Sequence, residues 1–351
     1  VMCPTRELAE QVGEAIRQLA SRMRNIKVVM LCGGKPFGPQ RDSLEHGAHI
    51  VVGTPGRIQD HLQRQTLDLT GVATFVLDEA DRMLDMGFAE VMATITAALP
   101  KKRQTLLLSA TFPEDIKKMS RAIQRQPIEV KVDAVLTHDE TVVEQLFFEI
   151  QKHERNTALL ALFEHYQPGN AMVFCNTKKQ CAEVAAFLQE HDIEAAAIHG
   201  DLDQRDRDQV LLQFTNNSCP VLVASDVAAR GLDIPALAMV VNFELPRDGD
   251  TYVHRIGRTG RAGETGQAFS LVTPSEAPRL RVIEDHLQIN CLCDVLESLN
   301  RNPNYQLQGD MTTLQFDAGR KQKLRPGDIL GALTGDAGLA GDQIGKIKIL
   351  D

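Results

Sequence analysis

The chain has 351 residues, 43% of them hydrophobic, so it can bury more than one core, and its length predicts about two domains. The formal net charge of −9 argues against a protein that coats nucleic acid non-specifically, but it leaves room for a local basic groove. No apolar run approaches the roughly 18 residues that a membrane-spanning helix requires, and the first residues lack the basic start of a signal peptide. The seven cysteines are scattered without a Cys-x-x-Cys pair, which predicts reduced thiols in a cytoplasmic protein and no zinc site.

Residues 1–133 alternate strand-like and helix-like runs, the pattern of a doubly wound parallel sheet in the α/β class. The opening residues predict a strand that is already under way. Further strands are predicted at 26–31, 49–52, 74–78, 104–109 and 128–132. Residues 134–141 break the alternation and are predicted to be a linker.

Residues 142–299 resume the alternation and predict a second α/β domain of similar build. Its predicted strands lie at 145–150, 171–176, 195–199, 221–225, 239–243 and 267–272. Residues 300–310 are polar and rich in turn formers, which predicts a second linker. Residues 311–351 then predict a strand, a short helix and a strand.

An apolar run that ends in carboxylates is the most informative stretch of the first domain. The run Thr74 to Leu77 is followed by Asp78, Glu79 and Asp81. Ligands of open parallel sheets bind outside the carboxyl ends of the strands, so Asp78 and Glu79 are predicted to face a nucleotide and its Mg²⁺. The first acid suits Mg²⁺ binding, and the second suits the polarising of a water molecule. A surface turn of acids after a core strand is the alternative.

Short motifs elsewhere in the first domain predict contacts with phosphate. A helix N-terminus with an arginine beside it favours an anion, and a glycine loop lets the backbone approach a ligand closely. Such motifs occur at Pro4, Thr5 and Arg6, at Gly33 and Gly34, and at Thr54, Pro55, Gly56 and Arg57. Each by itself is equally typical of ordinary turns and helix caps. Ser109 and Thr111 end another predicted strand, which brings two hydroxyls near the acids.

The second domain supplies the basic groups. Thr177, Gly200 and Ser225 each lie at or just after the end of a predicted strand. The loop after Ser225 carries Gly231 and Asp233, and a carboxylate of this loop could hold a ribose hydroxyl.

Residues 254–263 contain His254 and three arginines, Arg255, Arg258 and Arg261. With no acid among them, these arginines would repel one another unless an anion such as a γ-phosphate were present. A helix that continued from Thr251 would place His254, Arg258 and Arg261 on one face, although two glycines make its second half doubtful. A solvated basic turn is the alternative.

Taken in order, these motifs resemble those of the DEAD-box RNA helicases from Val1 to about Leu287. The set runs Pro-Thr-Arg-Glu-Leu-Ala, Gly-Gly, Thr-Pro-Gly-Arg, Asp-Glu-Ala-Asp, Ser-Ala-Thr, Asp-x-Ala-Ala-Arg-Gly-Leu-Asp and His-Arg-x-Gly-Arg-x-Gly-Arg. The resemblance implies two tandem RecA-like domains that close over ATP and a single RNA strand and separate a short duplex. A DNA helicase of the same superfamily and a non-catalytic RNA-binding or scaffold protein are the alternatives.

The resemblance also implies roles for individual residues. Asp78 would hold Mg²⁺, and Glu79 would position the hydrolytic water. Nucleotide contacts would come from Gly231, Asp233, Arg258 and Arg261, the last two as arginine fingers. The residues that couple the domains would be Asp81, Ser109, Thr111 and His254. RNA contacts would come from Pro4, Thr5, Arg6, Gly34, Thr54, Pro55, Gly56, Arg57, Thr177, Gly200 and Ser225, the last at a position where the family more often has Thr.

The tail, residues 311–351, resembles the RRM-like domain with which some bacterial members of the family grip a hairpin of large-subunit ribosomal RNA. Arg320, Lys321, Lys323 and Arg325 place four positive charges in six residues and would contact RNA phosphates. The resemblance covers only half of such a domain, and it implies a role in assembly of the large ribosomal subunit. A small βαβ piece with ordinary surface lysines is the alternative.

No Gly-x-x-x-x-Gly-Lys-Ser/Thr phosphate loop occurs in the sequence. The nearest match, at Gly33 to Pro36, fails because proline supplies neither a hydroxyl nor an N–H group. Family members carry this loop ahead of the position of Pro4. We therefore expect the chain to be a fragment cut at both ends and to be inactive as an ATPase by itself.

Overall fold

A computed structural model of the chain describes residues 1–131, 143–229, 232, 234, 237–260, 265–319 and 322–349. These residues divide into two compact units, the first built from residues 1–131 and the second mainly from residues 143 onward. In each unit the strands pair in parallel. Both units therefore have the α/β architecture that the alternation predicts.

The sheet of the first unit consists of strand pairs that the opening residues join. The elements are β1 (Val28–Leu31), β2 (Ile50–Gly53), β3 (Thr74–Leu77), β4 (Gln104–Leu107), α1 (Arg6–Leu19), α2 (Phe37–Glu45), α3 (Pro55–Gln63), α4 (Ala80–Asp85), α5 (Ala89–Ala97) and α6 (Glu114–Ile123). β1 pairs with β2, and β3 pairs with β4. Met2 bridges Gly53 of β2 and Leu77 of β3, so the opening residues lie in the middle of the sheet.

Apolar side chains fix the sheet of the first unit against its helices. Leu31, Leu77 and Met83 are completely buried in one cluster with Ile116 of α6. α1 begins where Thr5 caps it, since the Thr5 hydroxyl accepts a hydrogen bond from the Leu8 N–H at 3.3 Å. The residues that follow β1, β2 and β3 are therefore held at one edge of a rigid sheet.

The second unit is organised around a parallel sheet in the order β11-β5-β10-β9-β6-β8-β7. Its elements are β5 (Val143–Glu149), β6 (Ala171–Cys175), β7 (Ala195–Ile198), β8 (Val221–Ser225), β9 (Met239–Asn242), β10 (Gly266–Val272), β11 (Cys293–Asp294), α7 (Arg155–Tyr166), α8 (Lys178–Gln189), α9 (Gln204–Thr215), α10 (Asp226–Ala229), α11 (Gly249–Ile256), α12 (Ala277–Leu287) and α13 (Pro326–Gly331). Every residue of β6, β8 and β9 is buried. Their nearly continuous apolar runs are typical of parallel strands covered on both faces.

Residues 300–310, predicted as a linker, pack along the second unit. Leu307 is 7% exposed and forms a parallel bridge with Ile193, next to β7. The Tyr305 hydroxyl donates to the Pro168 carbonyl at 2.7 Å, and Arg301 pairs with Glu164 of α7 at 2.6 Å. Residues 300–310 are therefore held against the surface of the second unit by these contacts.

The tail contacts the end of α9. The Asn216 side-chain amide pairs with the backbone of Lys346, accepting from its N–H at 2.9 Å and donating to its carbonyl at 3.1 Å. Lys348 lies 3.2 Å from Asp208. The predicted helix is present as α13, but the two predicted strands are wrong for residues 311–319 and 322–349, which contain no strand. An extended segment becomes a strand only when its backbone forms hydrogen bonds with a neighbouring strand. Here the backbone N–H and carbonyl of Lys346 bond instead to the side-chain amide of Asn216.

The strand predicted at 128–132 is also wrong over its described part. Residues 128–131 form no strand, and Ile128 and Val130 are 89% and 82% exposed. β-Branched composition favours a strand only where the side chains can pack on a neighbour. The strand predicted at the opening residues is reduced to isolated bridges of Met2. The other predicted strands are present with ends shifted by up to two residues, and β11, which contains only two residues, was not predicted.

Candidate functional sites

The acidic turn after β3 starts with Asp78, whose ionised carboxylate is destabilised by burial. The Asp78 N–H donates to the Met2 carbonyl at 3.0 Å, which keeps Asp78 in line with the sheet. Burial, and then the adjacent charge of Glu79, raise the pKa of Asp78 above its ordinary value. Cations stabilise an ionised carboxylate in such a position. Asp78 is therefore suited to hold a metal ion at the carboxyl end of the sheet.

Glu79 adopts a left-handed backbone conformation, with φ +50° and ψ +55°. This conformation is uncommon for residues other than glycine and often marks functional turns. Arg82 Nη1 donates to Glu79 Oε2 at 2.6 Å, and the Glu79 side chain is still 34% exposed. The turn therefore holds this carboxylate in a fixed direction while solvent can reach it.

Asp81 joins the acidic turn to the segment after β4. Its Oδ2 accepts from both the N–H and the hydroxyl of Thr111 at 2.9 Å. The Ser109 hydroxyl accepts from the Asp81 N–H at 3.3 Å and donates to the Thr111 carbonyl at 2.6 Å. The structure thus brings Asp81, Ser109 and Thr111 together, so a movement of either segment would be transmitted to the other.

Arg6 and the Gly33-Gly34 loop lie against each other. Gly34 has φ +79°, and a Cβ added there would come within 2.2 Å of Arg6 Nη1. Only glycine permits both the backbone conformation and this close approach. Pro4 is buried just before the helix, and Thr5 is partly exposed at its cap.

Arg57 extends from the start of α3 to the same loop. Arg57 Nη1 donates to the Lys35 carbonyl at 3.1 Å, and the Arg57 side chain is 15% exposed. Pro55 is buried at the first position of the helix, Gly56 is exposed, and the hydroxyl of Thr54 makes no capping bond to the helix. Arg6, Gly34 and Arg57, predicted from separate motifs, thus form one local surface.

The second unit places its predicted strand-end residues on neighbouring strands. Thr177, Gly200 and Ser225 follow or end β6, β7 and β8, which are adjacent in the sheet. Thr177 caps α8 by accepting from the Gln180 N–H at 3.3 Å, and Ser225 is only 8% exposed. A Cβ added at Gly200 would meet no atom within 4 Å, so local packing does not require glycine there.

Arg255 is the most highly connected side chain of this site, and the roles assigned from the sequence did not include it. It is 1% exposed and forms two hydrogen bonds with Asp226, from Nε at 2.6 Å and from Nη2 at 2.8 Å. It also donates to Asn176 Oδ1 at 2.9 Å, to Asn242 Oδ1 at 3.1 Å and to the Glu244 carbonyl at 2.7 Å. The expectation that three arginines await an external anion is therefore wrong for Arg255, because Asp226 neutralises it.

α11 separates its buried and accessible residues by helical spacing. Tyr252, Arg255 and Ile256 are buried on one face, whereas His254 is partly exposed. The helix ends at Ile256 with Gly257 as its cap, so Arg258 lies in the following turn, also partly exposed. In the sequence, the burial of Arg255 could have been predicted from Tyr252 and Ile256, which lie on the same face of the helix. Gly231, Asp233 and Arg261 lie outside the described residues.

Two of the basic residues of the tail lie just before the start of α13. Lys323 and Arg325 are exposed, and the Arg325 N–H donates to Asp328 Oδ2 at 2.8 Å. The other two predicted residues, Arg320 and Lys321, lie outside the described part of the chain. No described helix is long and apolar enough to cross a membrane, and the described residues contain no group of three or more side chains suited to hold a metal ion.

Three family models match successive parts of the chain. They are described as DEAD/DEAH box helicase for residues 1–119, helicase conserved C-terminal domain for residues 154–263, and DbpA RNA binding domain for residues 313–351. The order of these matches agrees with the order of the motifs.

Similar proteins span nearly the whole chain. It is 50% identical over 349 residues to the ATP-dependent RNA helicase DbpA of Escherichia coli (strain K12), which covers 99% of this chain and 76% of that protein. It is 36% identical over 373 residues to the ATP-dependent RNA helicase DbpA of Bacillus subtilis (strain 168), covering 100% and 77%. A solved structure of S. cerevisiae Dbp5 bound to RNA and ADP BeF3 matches with a TM-score of 0.73 and 30% identity over 84% of this chain and 77% of that one.

Proposed function

The chain belongs to the DEAD-box family of ATP-dependent RNA helicases, and from this premise we propose roles for the residues of its two units. The activity of the protein is the ATP-dependent unwinding of RNA. The single observation that carries the assignment of roles is the acidic turn after β3, where Asp78 has a raised pKa and Glu79 has a constrained, solvent-accessible carboxylate.

Asp78 holds Mg²⁺ in this proposal, and Glu79 orients the attacking water. Mg²⁺ in nucleotide sites is usually bound by one or two carboxylates together with phosphate oxygens and water. The raised pKa of Asp78 supports this role, because a nearby divalent cation would stabilise the ionised form that burial disfavours. The Mg²⁺–nucleotide complex would supply the electrophilic phosphorus for the water that Glu79 orients.

Arg258, with Arg261, stabilises the charge that develops on the γ-phosphate. The support is the hydrogen-bonded network around Arg255, which fixes the end of α11 from which both residues follow. Gly231 and Asp233 contact the nucleotide, and His254, Asp81, Ser109 and Thr111 couple hydrolysis to the RNA site. The contacts among Asp81, Ser109 and Thr111 support this coupling within the first unit.

The RNA backbone is held by the predicted strand-end and loop residues. In the first unit these are Pro4, Thr5, Arg6, Gly34, Thr54, Pro55, Gly56 and Arg57, and in the second unit Thr177, Gly200 and Ser225. The clustering of Arg6, Gly34 and Arg57 supports a phosphate-binding surface in the first unit, since guanidinium and backbone N–H groups are the usual phosphate contacts.

The tail selects a hairpin of large-subunit ribosomal RNA, and we infer that the protein acts in assembly of that subunit in the cytoplasm. The match of residues 313–351 to an RNA-binding domain and the exposed Lys323 and Arg325 support the RNA contact. All seven cysteines are free thiols, which agrees with a reducing compartment.

The test is the affinity of the chain for a large-subunit ribosomal RNA hairpin relative to a homopolymer of equal length. We expect the preference for the hairpin to be lost when the chain ends before residue 309, and to be reduced in Lys323→Ala/Arg325→Ala. Lys101→Ala/Lys102→Ala, at exposed lysines of the first unit, is the matched control. Equal preference in the full and shortened chains would overturn the role of the tail.

A further inference from the structure

His61, on the buried face of α3, has polar partners on both sides of its ring. It is 0% exposed, with Nδ1 2.8 Å from the Thr66 hydroxyl and Nε2 3.4 Å from Gln40 Oε1. Gln40 belongs to α2 and is itself 7% exposed. A polar chain of Gln40, His61 and Thr66 therefore crosses the interface between α2 and α3.

The amide of Gln40 fixes both ends of the glycine loop. Its Nε2 donates to the Cys32 carbonyl at 3.0 Å and to the Pro36 carbonyl at 3.3 Å, immediately before and after Gly33 to Lys35. The oxygen of a side-chain amide can only accept, so His61 Nε2 carries the proton that it donates to Gln40 Oε1. The Thr66 hydroxyl has one proton and lies within hydrogen-bond distance of both His61 Nδ1, at 2.8 Å, and the His61 carbonyl, at 3.2 Å. Burial, and then the charge of Arg57, lower the pKa of His61, which favours the neutral form of the ring.

Phe37 adds a ring contact to the same interface. Its ring stacks on that of His61 with centroids 4.2 Å apart and an interplanar angle of 15°. The guanidinium carbon of Arg64 lies 4.5 Å from the centroid of Phe37, and Arg64 Nε donates to Asp60 at 2.7 Å. The first residue of α2 is thus held against α3 directly after the glycine loop.

These contacts meet at residues to which the proposed function assigns RNA. Arg57 follows the start of α3 and donates to the Lys35 carbonyl, and Arg6 lies against Gly34. Apolar side chains could pack α2 on α3 without desolvating three polar groups, whereas directed hydrogen bonds specify one arrangement of the loop. The polar chain therefore fixes the conformation of the loop, although apolar side chains would pack the two helices more favourably.

We propose that Gln40, His61 and Thr66, together with the ring of Phe37, form a brace that positions the Gly33-Gly34 loop and Arg57 for an RNA backbone. These are positioning residues that do not touch the RNA. The inference rests on the proposed RNA-binding role of this surface, and the experiment below separates the two.

The test uses variants that keep the packing and remove the directed bonds. His61→Phe retains a ring against Phe37, and Gln40→Met retains the length of the side chain. We expect each variant to remain folded, with a Tm lowered only by the hydrogen bonds that it loses, and to bind a short single-stranded RNA about tenfold more weakly at a temperature well below that Tm, as the loss of one well-placed charged hydrogen bond would. His46→Phe and Gln18→Met, at exposed positions, are the matched controls and should bind as the parent does.

Arg57→Ala distinguishes the failure of the inference from that of the proposed function. If Arg57→Ala leaves RNA affinity unchanged, the proposed RNA surface is wrong. If Arg57→Ala weakens binding while His61→Phe and Gln40→Met bind like the parent, the brace is overturned. The double variant His61→Phe/Arg57→Ala should lose less affinity than the sum of the two single losses, since the brace acts partly through Arg57 and partly through the loop. Fully additive losses, or affinity losses that disappear when binding is measured well below the Tm of the variant, would also overturn it.

Discussion

At the scale of single residues, the acidic turn holds Asp78 and Glu79 in states that reduce stability, and both residues are proposed to act in ATP hydrolysis. Asp78 is held where its charge is disfavoured, and Glu79 occupies a backbone conformation that few residues other than glycine adopt. Functional residues commonly carry strain of this kind, which the surrounding fold offsets. Replacement of either residue should therefore separate stability from activity.

Asp78→Asn should stabilise the first unit at neutral pH. Because the folded pKa of Asp78 lies above the ordinary 3.8, the folded state keeps the proton to a higher pH than the unfolded chain does. Stability is therefore lost as the pH rises through the folded pKa, and a neutral amide avoids that loss. Thermal unfolding should give a higher Tm for Asp78→Asn at pH 7, with a difference that shrinks toward pH 4. Asp42→Asn, at an exposed position of α2, is the control. A lower Tm for Asp78→Asn would contradict the expected stabilisation.

Glu79→Gln should slow ATP hydrolysis by roughly 10² or more while RNA and ATP still bind. The amide preserves the shape of the side chain but removes the charge that orients water. Steady-state hydrolysis of ATP should be measured in the presence of RNA. Glu90→Gln, on exposed α5, serves as the control. Turnover close to that of the parent would remove Glu79 from the proposed mechanism.

At the scale of secondary-structure elements, Arg255 links four segments of the second unit. Through Asp226, Asn176 and Asn242 it connects α11 to the end of β9 and to the residues that follow β8 and β6. Its guanidinium carbon also lies 5.2 Å from the ring centroid of Phe174 in β6. The helix that leads to Arg258, which is proposed to contact the nucleotide, is thereby fixed to three parallel strands.

Removal of Arg255 should destabilise the second unit strongly. Arg255→Ala leaves the Asp226 carboxylate without its partner, and the loss of one member of a buried ion pair typically costs about 3–5 kcal/mol. Because the chain contains no Trp, urea unfolding should be followed by circular dichroism. Arg279→Ala, at a side chain that is 36% exposed, is the matched control and should cost about 1 kcal/mol or less. Equal effects of the two substitutions would show that the network around Arg255 is not a structural centre.

At the scale of the whole molecule, the chain is acidic overall but carries small basic surfaces that the fold holds in place. The net charge of −9 limits non-specific attraction to RNA, so selectivity depends on where the arginines and lysines are held. In the second unit, the packed segment 300–310 and the contacts of α9 give the tail a defined position. Lys323 and Arg325 therefore lie on a segment that is attached to the second unit.

Substitutions on α9 should release the tail without unfolding the sheet. Asn216→Ala removes both hydrogen bonds to Lys346, and Asp208→Ala removes the ion pair with Lys348. Each contact is worth only about 1 kcal/mol, but a piece of roughly 40 residues has little stability of its own to lose. Hydrogen exchange over residues 340–349 should accelerate in the double variant while β6 and β8 remain protected. Glu183→Ala on α8 is the control, and unchanged exchange in the double variant would exclude these contacts as the attachment.

The sequence by itself determined the α/β class, most strands and the family. Strand periodicity is local, so the runs that became β3, β6 and β8 could be recognised without partners. The residues after these strands were correctly expected at one edge of each sheet, because parallel strands all point the same way. Asp78 and Glu79 were predicted in this way, and their roles in the site stay a proposal.

Only the tertiary structure decided which polar groups neutralise each other. Asp226 and Arg255 are 29 residues apart, and their pairing depends on how α11 packs against the sheet. The same applies to Gln40 and His61, 21 residues apart on different helices. Residues 128–131 and the tail segments have the composition of strands, but a strand forms only where another backbone is available to pair with it. Local pattern predicts an element, and contacts between distant parts of the chain determine whether it forms and what its side chains bind.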